Sequence, residues 1–215
     1  MVLAIVVPAL AWMSRRALES GARIPRLPLY AEVVVLQLLL FGLAMLVAWS
    51  GRFSIFSRRL PTLDGWAAGA ILLLIATVAM LLNLRFGTAD HDDPLYRIAP
   101  ESMIEKLAWI GVSCVAGVSE EVIYRGAAYV VIQRLVHGIW PPILIASVLF
   151  GMAHLTQGIR RSALVALFGF GFHLVVLYSG SLYPAFVVHA LYDILAGLAL
   201  ARDRRRRNWT EHATL

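Results

Sequence analysis

Cysteine is almost absent. The 215 residues include one, Cys114, set in an apolar run; a single thiol closes no intrachain disulfide, so no cross-link frames this fold. Charge is scarce as well: 15% of residues are charged against 60% hydrophobic, and mean hydropathy is +0.76, well beyond a soluble domain of average make-up. No hydrophilic stretch is long enough to fold on its own, which leaves no room for a separate soluble domain. Internal repeats and low-complexity tracts are lacking too, and without an inverted repeat a small proton-relay transporter is a weak reading. The formal charge is +6, yet the basic residues are loop arginines beside apolar runs, with no stacking platform or basic face among them. Nucleic acid is not the partner they imply.

What the sequence does contain is apolar segments, near 2–13, 30–49, 65–84, 104–136, 139–155, 162–179 and 183–201. Those of about 20 residues can cross a hydrocarbon core about 30 Å thick. The first is short, contains Pro8 and lacks a basic n-region, so despite "ALA" at 9–11 it reads as a first helix rather than a secretory signal. The 104–136 run exceeds one span and is expected to be tilted, or broken near Gly117. These features predict an all-α, polytopic transmembrane helix bundle of about seven spans, one integral membrane domain over 1–215 with the lipid bilayer as its solvent.

Lys and Arg counts orient the bundle. Arg15, Arg16, Arg23 and Arg26, then Arg85, Arg97 and Lys106, then Arg160 and Arg161, then Arg202 and "RRRR" at 204–207 fall in connections that share one face if there are seven spans. The other face receives Arg52, Arg58, Arg59 and Arg134. The bias predicts a multi-pass protein of the cell membrane whose basic tail, 202–215, is cytoplasmic, with attraction to anionic lipid as the tail's other use.

Against that background "SEEVIYRG" at 119–126 is anomalous, because Glu120, Glu121 and Arg125 stand together inside an apolar run. An ionisable group at the centre of a spanning helix costs about 2.5–3.5 kcal/mol even on a lenient insertion scale. Glu121 and Arg125, at i and i+4 with the acid first, can neutralise each other as a structural ion pair. Glu120 points roughly 100° away and has no cation at helical spacing. A dry carboxylate of that kind is suited to taking a proton. Two further apolar segments carry polar groups: "FGMAH" sets Phe150 and His154 at i, i+4, and "HALYD" sets His189 and Asp193 at the same spacing, so each pair lies on one helical face. Polar groups in lipid face the bundle interior, where they can meet. Glu120, His154, His189 and Asp193 thus form a candidate catalytic or metal cluster: a Glu and a His can act on water, and a second His with an acid can bind an oxyanion or a metal. His173, in "FGFGFH", matches no such pattern and reads as packing or polar lining.

The series Glu120-Glu121-x-x-x-Arg125, Phe150-x-x-x-His154 and His189-x-x-x-Asp193 resembles, in order and spacing, the motifs of the CAAX protease and bacteriocin-processing (Abi) family of intramembrane peptidases. Gly126 after the arginine and "SLYPAFVVHALYD" resemble it as well, and the likeness covers roughly 104–201. It implies that Glu120 is the general base, His154 its partner on the attacking water, and His189 with the residue at 193 the oxyanion binders. It implies a membrane-associated peptide or protein as substrate: a prenylated CAAX protein, a signal-like peptide, a bacteriocin leader or a regulatory membrane protein. It leaves a metal open; zinc, if bound, would take Glu120, His154, His189 and Asp193. Where the family commonly has asparagine this chain has Asp193, so the group is protonated, orients His189 or favours a cation. The rival reading is a non-catalytic membrane scaffold or bacteriocin self-immunity protein that keeps the cluster for packing. Taken as straight spans, the segments would leave His154 near the cytoplasmic end of its helix and His189 toward the opposite side, unless the 162–179 segment is tilted or re-entrant or the boundaries differ.

Overall fold

The computed structural model describes Val7 and residues 25–57, 60–87 and 93–207; the expected first span at 2–13, Arg15, Arg16, Arg23, Arg58, Arg59 and the end of the tail lie outside them. The described residues form seven helices and no strand. They are α1 (Arg26–Ser50), α2 (Leu63–Phe86), the short α3 (Pro94–Ile98), α4 (Met103–Leu135), α5 (Trp140–Ala153), α6 (Ile159–Ser179) and α7 (Tyr183–Arg206). Five of them, α1, α2, α4, α6 and α7, are long and apolar enough to cross a membrane. The bundle is all-α.

Local sequence explains where the helices start. The hydroxyl of Thr62 accepts from Gly65 N at 3.1 Å to open α2. A reciprocal capping box opens α4, with Glu105 N donating to Ser102 Oγ and Ser102 N to Glu105 Oε2. Prolines stand in the first turns of α5 and α7, where a missing N–H removes no helical bond.

Four expectations are refined by the structure. No break occurs at Gly117: α4 runs through it for 33 residues, about 50 Å, and its irregularity is instead a π-helical stretch at Val122–Ala128. Gly117 serves close packing, since a Cβ there would sit 2.8 Å from the backbone nitrogen of Ala190 on α7. The 139–155 segment is a helix of 14 residues, about 21 Å long, so it falls short of the about 30 Å core. The 162–179 segment lies in one continuous helix, and the basic run after 201 prolongs α7 to Arg206 rather than leaving it.

Small residues let the long helices approach: Gly65, Gly69 and Ala76 are the buried positions of α2, and Ala44 and Ala48 are among those of α1. Outward, the two helices present large apolar side chains such as Leu39 and Leu74, each more than 60% exposed. Water would not tolerate so much continuous apolar surface; lipid does. The chain is a multi-pass membrane protein.

The two ends differ in chemistry. At one, Arg26 meets Glu101 at 3.1 Å and Arg204 meets the same acid at 2.7 Å, while Arg161 holds Asp93 through both guanidinium nitrogens. At the other, Thr62 Oγ1 donates to Tyr178 O at 2.8 Å and Arg134 donates to Gly51 O at 3.0 Å.

Candidate active site

Four helices deliver polar groups to one region between the ends. From α4 come Glu120, Glu121 and, in the π-helical stretch, Arg125. His154 caps the C-terminus of α5, and His189 and Asp193 lie one turn apart on α7. The fourth contributor is α1, through Gln37. π-Turns inside α-helices are rare and tend to mark functional positions.

The innermost element is an ion pair shielded from solvent. Arg125 Nη1 donates to Glu121 Oε1 at 2.9 Å with both side chains fully buried. Its Nη2 donates to Gly169 O at 3.0 Å, and its guanidinium lies over the rings of Phe150 and Phe172, 4.3 and 5.1 Å from their centroids. Gly169 provides the room, because a Cβ there would be 3.3 Å from Nη2 and 3.0 Å from the Phe150 ring.

That pair has a second task the sequence did not reveal. Glu121 Oε1 lies 2.8 Å from His189 Nδ1; a carboxylate oxygen can only accept, so Nδ1 carries the hydrogen and the ring orientation is set. His189 Nε2 is thereby turned toward Glu120 Oε2 and Asp193 Oδ2, each 3.7 Å away. His154 is fixed in the same manner: its Nδ1 lies 2.8 Å from Phe150 O, a carbonyl acceptor, which leaves Nε2 facing Glu120 Oε2 at 3.8 Å. Phe172 stacks on His189 with centroids 5.1 Å apart, and Phe150 packs edge-on against His154.

The structure therefore brings all four candidate residues together, and His154 and His189 meet across Glu120. The expected separation rested on 139–155 being a full span; α5 is shorter, and His154 stands at its end. One participant was missed. Gln37 Nε2 donates to Glu120 Oε1 at 2.5 Å, and its signal was available as the one polar side chain in the run 33–49. His173 is buried, its Nε2 has no hydrogen-bond partner, and its ring packs near Tyr129 rather than joining the cluster.

A cavity of about 270 Å³ opens beside the cluster. Leu72, Ala76 and Met80 of α2 and Phe168 of α6 line it, His154, His189 and Asp193 contribute to its wall, and Asn83, Tyr96 and Arg161 belong to it as well. It suits an apolar chain that presents a polar bond to the histidines. Imidazole and carboxylate are zinc's kinds of donor, yet among the described residues no three His, Cys, Asp or Glu side chains are placed as a metal site.

Residues 103–195 match the family model described as type II CAAX prenyl endopeptidase Rce1-like. No curated protein and no solved structure matches the chain. Every motif position from Glu120 to Asp193 lies within the matched segment, while α1 and its Gln37 lie outside it. That segment and the site it carries bear out the resemblance to the CAAX protease and bacteriocin-processing family of membrane endopeptidases.

Proposed function

We propose that the protein hydrolyses a peptide bond of a membrane-associated protein or peptide, using water activated by Glu120 and His154. The observation that carries this reading is the convergence of Glu120 Oε2 with the Nε2 atoms of two histidines, at 3.7 and 3.8 Å. These separations exceed a direct hydrogen bond, so the three groups converge without bonding one another and their free positions can turn to a water at the cluster. Water held there gives a proton to Glu120 while its oxygen bonds to the substrate carbonyl carbon. His189, which in its imidazolium form donates from Nε2, and Asp193, which donates when its carboxyl is protonated, bind the resulting oxyanion. Collapse breaks the C–N bond as Glu120 returns the proton to the departing amine. Glu121 and Arg125 keep His189 in register throughout.

The first test is a comparison of lipid-reconstituted wild type with Glu120→Gln on a membrane proteome, read by labelling of new termini. New termini are expected with the wild type alone, with the variant still inserted and folded. Cleavage by the variant would overturn the mechanism, and a biological effect that survives the substitution would point to a non-catalytic scaffold or immunity protein. A strong chelator is expected to leave turnover unchanged. Loss of activity on chelation, restored by zinc with about one equivalent bound, would replace direct activation by a metal-bound water.

A further inference from the structure

We propose that Gln37 is a positioning residue for Glu120, holding one carboxylate oxygen so that the other faces the two histidines. The inference rests on the peptidase reading and extends it to α1, which the family match does not reach.

An amide in the apolar run 33–49 needs a reason, because lipid offers it no hydrogen bonds. The inward stripe of α1 is marked by buried Tyr30, Ala44 and Ala48; Gln37 lies seven residues from Tyr30 and seven from Ala44, on the same stripe. There its Nε2 donates to Glu120 Oε1 at 2.5 Å. This is the one direct side-chain hydrogen bond to Glu120 among the described residues. The obvious cation is engaged elsewhere, since Arg125 is held by Glu121 and Gly169. Glu120 Oε2 is left buried and without a direct hydrogen bond, aimed at His154 and His189.

A packing role does not account for the residue. Gln37 Oε1 is itself buried with no partner, so half of the amide goes unsatisfied, and an apolar side chain of equal length would pack there at lower cost. What the amide supplies and methionine cannot is a donor that fixes the carboxylate's rotation. Free to turn, Glu120 would present Oε2 to the water for only part of the time, which lowers turnover without weakening substrate binding.

The test uses full-length protein in lipid nanodiscs and, as probe, an internally quenched peptide ending in a farnesylated CAAX sequence. Gln37→Met is expected to lower kcat about 10–100-fold, the scale of a hydrogen bond to a charged group, with KM unchanged and the thermal unfolding midpoint unchanged or raised. Gln37→Asn, which keeps the amide one carbon shorter, is expected to recover part of the loss. Wild-type kcat in Gln37→Met, or a loss that merely follows a drop in folded protein, would overturn the proposal. Infrared spectroscopy provides a readout that needs no turnover: the carboxylate band identified by Glu120→Gln should shift in Gln37→Met. An unshifted band would show that the contact is not made, turnover by Glu120→Gln would remove Glu120 as the base and with it the catalytic purpose of Gln37, and no turnover by the wild type on any membrane peptide would overturn the peptidase reading itself.

Discussion

Glu121 joins two requirements at a single atom, since its Oε1 accepts from both Arg125 and His189. Glu121→Ala should therefore do more than break an ion pair. Stranding a fully buried guanidinium costs about 3–5 kcal/mol where such pairs have been opened, and the freed imidazole loses its orientation as well. We expect lower folded yield, a lower thermal midpoint and little turnover from what folds; a stable, inactive variant would mean that Arg125 finds other acceptors. Asp193 invites the opposite kind of test. It stands 3.7 Å from His189 Nε2 on a face shared with Glu120, where a fixed negative charge would repel an oxyanion. If its part is to donate a hydrogen bond, Asp193→Asn keeps substantial activity and Asp193→Ala loses about 10²–10³ in rate, the scale of one oxyanion donor. Equal loss in both would make Asp193 a required anion that orients His189 or draws a cation.

At the scale of elements, the site depends on how closely α4 and α7 approach. Gly117 lies one turn before Glu120 and Glu121 and directly against Ala190, the neighbour of His189. A methyl group there would meet the backbone nitrogen and Cα of Ala190 at 2.8 and 3.1 Å, and backbone cannot rotate aside. Gly117→Ala should push the helices apart at a cost of about 1–3 kcal/mol and lower turnover by about tenfold or more, because small misplacements of reacting groups carry large rate penalties. Measured kcat beside the thermal midpoint distinguishes the two effects; wild-type kcat would show that the helix contact does not set the catalytic distance. The π-helical stretch belongs to the same scale, as it carries Arg125 where α4 meets α1, α5 and α6. Gly158, with φ near +90°, lets the chain reverse between the end of α5 and α6, and Ser162 Oγ then donates to His154 O at 2.8 Å. A left-handed position of this kind resists any side chain.

For the whole molecule, orientation follows from charge. The end where Arg26, Arg161 and Arg204 make their ion pairs also carries Arg97, Lys106, Arg202 and Arg205–Arg207, whereas Arg52 and Arg134 are the described basic residues at the other. By the positive-inside rule the richer end is expected to face the cytoplasm. A C-terminal fusion should accordingly fluoresce with green fluorescent protein and stay inactive with alkaline phosphatase; the reverse pattern would invert the topology.

Composition and spacing by themselves determined the all-α membrane bundle, since a chain this poor in charge has few other ways to satisfy its backbone in lipid. They also determined which helical faces hold the polar groups, since residues four apart share a face whatever the rest of the chain does. Only the tertiary structure decided that these faces meet. Glu121 and His189 are 68 residues apart and Gln37 and Glu120 83, and no local periodicity encodes a bond across such distances. Hydropathy marked 139–155 as apolar but could not say that its helix is short, and the meeting of His154 with His189 depends on where that helix ends. Gln37 stood out in the sequence as one amide among apolar side chains, yet its partner became visible only when α1 packed against α4.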